Sequence, residues 1–481
     1  MLTSVSKFYQ AKGGSEILVS KIEKSFERLK KGHVVTPISK EEEQNLVKSE
    51  FVSDGSILSP FVVQNEEFYF QENFIKQEQI VEWIKNKVSQ KEDTLYSYAA
   101  AGEFKKTVNQ LFNESDEIDW QKIGAINCFL NKFSILSGGP GTGKTTTVAN
   151  FLALFLTFNP KLKSIALVAQ TAKAAARLNE SLSDQHQKLL EKGISKEIVE
   201  ILKNIKPSTI HRLLKAQPGS LGTKFIHNQD NTLPHDIVLI DEASMVDLSL
   251  MHKLFMAIKP STKVVLMGDK NQLSPVEAGS VFSDITQAMH ENIFPSSLEV
   301  LRDFGLPKEN IQEGKFNAMI QLTKTYRFDG QSQIFDVSKD VLEQKFEVSK
   351  CSIINDSNKN EEGKVFYVGC GKEYETILKE QVLHFKKYIE VDDISKALEN
   401  INSVRILCAT KSGPFGVVEM NKKVEQILSK KKLIKTGKEF YNNQLIMITK
   451  NDYQLEIHNG DIGIVREKEG KLHFFLEDKS N

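Results

Sequence analysis

The chain has 481 residues, enough for roughly three domains at about 150 residues each. Hydrophobic residues make up 40% and charged residues 26%, the balance of a globular chain, and no apolar run approaches the roughly 20 residues that a membrane span needs. Lysine plus arginine equals aspartate plus glutamate at 63 each, which excludes a uniformly basic surface and confines any bound nucleic acid to a local channel.

The N-terminus, MLTSVSKFYQAKGG, has no hydrophobic signal core and gives no sign of export. Residues 1–110 are predicted to form a mostly helical domain. From Phe68-Tyr69-Phe70 to Ile84, the side chains Phe74, Ile80, Val81 and Ile84 recur near helical spacing, with Glu78 and Glu82 between them. Such a face either covers the domain's own core or docks a partner. From residue 111 the pattern changes. The runs Phe133–Leu136, Ile165–Ala169, Ile237–Ile240 and Val264–Met267 lack polar alternation, as parallel strands buried on both faces do. Helical stretches such as Thr145–Leu156 and Ala172–Leu182 lie between them, so 111–325 is expected to be a doubly wound α/β sheet. Residues 351–370 are polar, with a surface loop at 357–363, and the α/β signal resumes at Val404–Ala409. A second parallel-sheet domain is therefore expected over 326–481. The four cysteines, Cys128, Cys351, Cys370 and Cys408, form no CxxC pair and have no histidine cluster beside them. They argue against a zinc site and for a reducing, cytoplasmic setting.

The strongest motif is Gly138-Gly139-Pro140-Gly141-Thr142-Gly143-Lys144-Thr145, between a predicted strand and a predicted helix. Its glycines let backbone N–H groups converge on phosphate oxygens, and the following helix aims its positive end at them. Lys144 reaches the β- and γ-phosphates of ATP, and the Thr145 hydroxyl is a ligand for Mg²⁺. Asp241-Glu242 follows the strand Ile237–Ile240, at the carboxyl edge where open α/β sheets bind ligands. Asp241 is expected to hold Mg²⁺ through water, and Glu242 to deprotonate the attacking water. A third strand ends in Gly268-Asp269-Lys270-Asn271-Gln272, where Gln272 is placed to hydrogen-bond the γ-phosphate.

In this order, Gly138 to Thr147, Asp241-Glu242-Ala243-Ser244-Met245-Val246-Asp247, and Gly268 to Leu273 with Val276 to Gly279 resemble motifs I, II and III of the RecD family. These are superfamily 1 DNA helicases, the alpha subunit of exodeoxyribonuclease V. Further blocks agree. Ala169 to Leu178 is similar to motif Ia, Ser208 to Leu214 to the next block, and Thr325-Tyr326-Arg327-Phe328 to motif IV. Gly413-Pro414-Phe415-Gly416-Val417 with Asn421 resembles motif V, and Asn451-Asp452-Tyr453 with Asn459 to Gly463 a later block. The resemblance spans about 120 to 465. It implies a P-loop NTPase with two RecA-like domains, an ATP- and Mg²⁺-dependent translocase moving 5′ to 3′ on single-stranded DNA. RecB-like and RecC-like partners are implied with it, as is a role in double-strand break repair and recombination. By the same resemblance Gln121 reads the adenine edge and Tyr326 stacks on the base. Thr146 joins the P-loop residues around the nucleotide, and Arg327 reaches the γ-phosphate. Thr171, Lys173 and His211 fall on the DNA side; the bland readings are a helix N-cap, a solvated lysine and a packing histidine. The run Lys430-Lys431-Lys432 with Lys435 and Lys438 is either a backbone contact or a solvated helix end.

The chain departs from the family pattern near its end. No motif VI block, with its second arginine finger, follows Gly463, and Asn442-Asn443-Gln444 stands where the family has Gly-Arg-Pro. The second domain is thus expected to be incomplete. The alternative that follows is an ATP-binding subunit with a structural or regulatory role and no autonomous helicase activity.

Overall fold

The computed structural model describes residues 3–476 except 91–96, 98–101, 114–116, 163, 218–223, 276, 289–297, 306–317, 327–331, 353–362, 450–454, 456 and 458–459. The chain divides into two compact units, Met1–Arg327 and Phe328–Asn481.

The first unit opens with the helices Ser4–Ala11 and Glu16–Lys30, capped at their N-termini by the hydroxyls of Thr3 and Ser15. Four short strands follow: β1 (Val35–Pro37), β2 (Val52–Ser53), β3 (Phe61–Gln64) and β4 (Glu67–Phe70). They form a sheet in the order β1-β4-β3-β2 over a small core that includes Leu18, Ile22, Phe61 and Phe68. This sheet was not expected in a mostly helical region, because strands of two to four residues are too short to show alternation. Phe68-Tyr69-Phe70 belongs to β4, and the helix starts after it, at Gln71–Val88. Phe74, Ile80 and Ile84 are buried as the spacing predicts, whereas Val81 is 42% exposed, one residue's rotation off the buried face. That face is covered from within the unit. Trp83 stacks on Phe255 with ring centroids 4.2 Å apart, and the Lys87 ammonium donates to the carbonyls of Lys259, Pro260 and Thr262 at 2.9, 2.7 and 2.5 Å.

The large sheet has six strands, all parallel: β5 (Phe133–Gly138), β6 (Ile165–Ala169), β7 (Ser208–Thr209), β8 (Ile237–Asp241), β9 (Lys263–Gly268) and β10 (Met319–Leu322). Their order is β10-β5-β9-β8-β6-β7. Every residue of β5 and β9 is buried, as runs without alternation require. Neighbouring residues of one strand enter opposite cores. Val265 and Met267 pack with Phe129 and Phe151 on one face, and Val264 and Leu266 with Phe133 and Phe255 on the other. The sheet is doubly wound, an α/β fold of the P-loop NTPase kind. Helix Lys144–Phe158 follows β5, buried almost throughout, and helix Ala172–Glu191 follows β6 and continues past the predicted end through buried Leu182 and Leu189.

The second unit contains helices including Lys372–Val382, Ile394–Asn400 and Val417–Lys430, and an antiparallel sheet of β11 (Leu445–Met447), β12 (Ile462–Lys468) and β13 (Lys471–Leu476). Val382, Tyr388, Ile401, Met420 and Ile464 share its core. The buried Arg466 guanidinium donates to the carbonyls of Tyr388, Ile389 and Val391 and to the Asn443 side chain. Asn443 and its neighbours, which stand where Gly-Arg-Pro was expected, thus clasp the sheet to the helices. The strand expected at Val404–Ala409 is not formed. The segment has no ladder partner among the described residues, and Leu407 is 92% exposed. Lys430, Lys431, Lys432, Lys435 and Lys438 are all exposed at or beyond a helix end. The block at 451–453 and residue Asn459 lie outside the described residues. No helix of the described residues is long and apolar enough to cross a membrane.

Candidate nucleotide site

Each of the six parallel strands ends, at its carboxyl edge, in one of the predicted segments. Gly138 closes β5 and opens the P-loop. Thr171 and Lys173 follow β6, and His211 follows β7. Asp241 is the last residue of β8. Gln272 follows β9, and Tyr326 follows β10. The strands β5, β9 and β8 are neighbours, so Lys144, Gln272 and the Asp241-Glu242 pair rise from adjacent positions.

The P-loop geometry follows from its glycines. Gly141 and Gly143 hold φ of +77° and +82°, the left-handed region that a side chain disfavours. A Cβ on Gly143 would also lie 2.1 Å from Gln121 Nε2. Lys144 turns back over the loop, its ammonium donating to the carbonyls of Gly138 and Gly139 at 2.6 and 3.3 Å. The Thr142 hydroxyl donates to Gly139 at 2.9 Å. Pro140 is exposed at the tip, and Thr145 and Thr146 are half-buried in the first helical turn.

Gln121 stands on helix Trp120–Leu130, whose cap Asp119 accepts from the N–H groups of Gln121 and Lys122. The Gln121 side chain donates to the Thr142 carbonyl at 3.0 Å, and the Tyr326 N–H to the Gly141 carbonyl at 2.8 Å. Beside these two bonds lies a cavity of about 330 Å³ whose lining includes Gln121, Thr142, Thr146, Asn150 and Tyr326. Tyr326 is 61% exposed, so its ring is available beside the cavity. Trp120 and Asn150, which also line it, were not singled out from sequence. Asn150 is two turns into an apolar helix and carries no motif of its own.

At the end of β8, burial and the neighbouring Glu242 charge push the Asp241 carboxyl up to about 6, against the opposing pull of the Glu242 N–H and the Lys144 cation. Glu242 has φ +49°, ψ +40°. A left-handed glutamate is strained, and such strain concentrates at functional sites. Its Oε2 is buried without a hydrogen-bond partner among the described residues. Two carboxylates held in this way suit a cation and a water. The Ser244 hydroxyl donates to Gln272 Oε1 at 3.4 Å, a link between the β8 and β9 loops that sequence reasoning had missed. Gln272 is otherwise exposed.

The raised Asp241 value gives a stability prediction. The folded pKa, about 6, exceeds the ordinary 3.8, so the folded state holds the proton more tightly. Stability of the nucleotide-free chain therefore falls as pH rises from about 4 to about 6 and stays reduced above that. Asp241→Asn should stabilise the chain at pH 7 to 8 by up to about 3 kcal/mol and leave it nearly unchanged at pH 4. Thermal melts in EDTA at the two pH values measure this; equal shifts at both would refute it.

Thr171 is exposed and its hydroxyl accepts the Ala174 N–H at 3.2 Å, so it is a helix N-cap; Lys173 is half-buried in the first turn. Burial pushes His211 below the ordinary histidine range, and its ring lies 5.8 Å from that of Phe225. Arg327 lies outside the described residues.

A family model described as an AAA domain matches residues 121–278, the stretch from Gln121 to the loop after β9. The RecBCD enzyme subunit RecD of Haemophilus influenzae is 31% identical over 446 residues, covering 87% of this chain and 68% of that protein. The subunit of the same name from Buchnera aphidicola subsp. Acyrthosiphon pisum is 29% identical, covering 91% of this chain and 72% of its own. The ATP-dependent RecD2 DNA helicase of Deinococcus radiodurans is 25% identical over 343 residues, covering 71% of this chain and 37% of that protein.

Proposed function

Because the chain belongs to the RecD family, we propose that it is the ATP-hydrolysing DNA helicase subunit of a RecBCD-like exodeoxyribonuclease V, working with RecB-like and RecC-like partners in double-strand break repair and recombination. The observation that carries this is the sheet edge. Six adjacent strand ends carry the segments read as nucleotide-binding and the segments read as DNA-facing on one rim. A domain whose nucleotide and DNA contacts share a rim can convert a change at one into movement at the other.

In this reading ATP lies across the P-loop with its base in the cavity beside Gln121 and Tyr326. Lys144 leaves the Gly138 and Gly139 carbonyls for the β- and γ-phosphates. Thr145 and Asp241 would hold Mg²⁺, which would neutralise charge on the phosphates. Glu242 takes a proton from the attacking water, and Gln272 meets the γ-phosphate. Arg327 adds a planar, permanently charged fork to the same oxygens. Domain limits of 1–110, 111–325 and 326–481 and 5′ to 3′ movement belong to the same proposal.

Thr171, Lys173 and His211 contact the DNA strand. The Thr171 hydroxyl can donate to a phosphate while it caps the helix, and a neutral His211 still donates one N–H. The test is ATP hydrolysis by the full chain with and without single-stranded DNA. Single strands should raise the rate. Lys173→Ala should weaken strand binding evenly across sequences and reduce the salt slope by about one unit. No response of hydrolysis to single strands would overturn the proposal, and an unchanged salt slope would return Lys173 to the solvated helix face.

A further inference from the structure

The loop that carries Gln272 is pinned at both ends. At its start, Gly268 lies under the Phe282 ring, where a Cβ would come within 2.9 Å of a ring carbon. At its end, Gly279 holds φ +100° against Leu248, whose Cβ is 2.5 Å from the position a Gly279 Cβ would take. Between these pins the loop is wound by its own bonds. The Asn271 N–H donates to the Asp269 carboxylate at 2.9 Å, and the Gln272 N–H to the Asp269 carbonyl at 3.1 Å.

The second pin has a partner far away in sequence. The Gly279 N–H donates to the Gly32 carbonyl at 2.9 Å. Gly32 ends helix Glu16–Lys30 in a Schellman turn: its N–H bonds to the Leu29 carbonyl and the His33 N–H to the Arg28 carbonyl, both at 3.0 Å, with Gly32 at φ +88°. That turn satisfies the helix end and leaves the Gly32 carbonyl to accept from Gly279. The Pro275 carbonyl is 3.9 Å from where a Gly32 Cβ would lie, so the turn also underlies the middle of the loop. Val34 closes on Gly279 from the same side, its Cγ1 3.2 Å from the Gly279 Cβ position.

We propose that the Gly32 turn is a positioning element for Gln272: by fixing the far end of the loop, the N-terminal helix sets how well the site distinguishes a nucleotide with a γ-phosphate from one without. This rests on the reading of Gln272 as the group that meets the γ-phosphate. The contact joins the small N-terminal sheet region to the loop of the nucleotide site through one backbone hydrogen bond, with Val34 beside it. Whatever displaces the helix Glu16–Lys30 and the turn that ends it therefore alters hydrolysis without touching ATP.

The chain supplies a matched control. Helix Ser4–Ala11 ends in the same turn, with Gly13 at φ +89°, the Gly13 N–H on Gln10 and the Gly14 N–H on Tyr9, and nothing within 4 Å of a Gly13 Cβ. Alanine at Gly13 or at Gly32 brings the same backbone strain, but only Gly32 touches the Gln272 loop. The experiment measures, on the full chain, the affinity for a non-hydrolysable ATP analogue relative to ADP. Gln272→Ala should lower this ratio by roughly tenfold, the value of one hydrogen bond to a charged phosphate. Gly32→Ala should lower it in the same direction by a smaller factor, Gly13→Ala should leave it unchanged, and Gly32→Asn should restore it, because asparagine tolerates the left-handed region. Should Gly32→Ala not fold, Val34→Ala loosens the same contact mildly and should lower the ratio too. A ratio unchanged in both Gly32→Ala and Val34→Ala, or lowered equally by Gly13→Ala, overturns the inference while Gln272→Ala still upholds the site. A ratio unchanged in Gln272→Ala overturns the reading of Gln272 and the inference with it.

Discussion

Lys144→Ala should abolish ATP hydrolysis and weaken nucleotide binding together. The Lys144 ammonium is folded onto the carbonyls of Gly138 and Gly139, at the start of the loop that is read as the phosphate cradle. The lysine therefore needs only a small swing to reach a phosphate. Its charge acts on the bound nucleotide and on the transition state alike, so its loss should appear in both binding and turnover. A charge-assisted hydrogen bond of about 1.5 to 3 kcal/mol means at least about tenfold in affinity. Removing a preorganised charge from the transferring group adds about 10² to 10³ in rate. Alanine also removes the cation that lowers the Asp241 carboxyl, so Asp241 becomes harder to ionise. Phosphate release and fluorescent-nucleotide titration measure the two effects. A variant that binds as the parent does and hydrolyses at a comparable rate would refute the placement of Lys144 on the phosphates.

The sheet and its rim were legible because their signals are local. Unbroken apolar runs such as Val264–Met267 can be buried on both faces only in a covered parallel sheet, and β9 is buried at every residue. The glycine pattern of the P-loop is equally local: Gly141 and Gly143 are glycine because φ is positive at both. What sequence did not reveal depends on contacts across the fold. The four-stranded N-terminal sheet is held by Phe61 and Phe68 against Leu18 and Ile22, not by strand length. The Ser244–Gln272 bond joins two loops that only the strand order makes neighbours. The run at Val404–Ala409 shows the opposite failure. Its composition suits a strand, but a strand also needs a neighbour to take its backbone donors, and pairing is not written in one segment.

Glu242→Gln should separate binding from chemistry. The substitution keeps the shape of the side chain and removes its charge. Three observations support the reading of Glu242 as the group that works on water. It follows the last residue of β8, whose carboxylate feels the Lys144 cation; its backbone is held left-handed at φ +49°; and its Oε2 is buried without a partner among the described residues. A buried carboxylate oxygen with no donor is costly, and the cost is relieved when a water donates to it. That water is the nucleophile in this reading, and a glutamine oxygen can still hold it but cannot take its proton. General-base catalysis is worth about 10² to 10⁴ in rate, so turnover should fall by that factor while ATP affinity holds or rises. The neighbouring carboxylate offers a second readout. The Glu242 charge helps raise Asp241, so Glu242→Gln should lower the Asp241 pKa and shrink the pH-dependent gain in stability that Asp241→Asn brings. A general loss of structure would weaken binding and turnover together, whereas loss of the base alone leaves a chain that traps ATP and hydrolyses it slowly. Equal hydrolysis rates for the parent chain and Glu242→Gln would show that the base lies elsewhere on the rim.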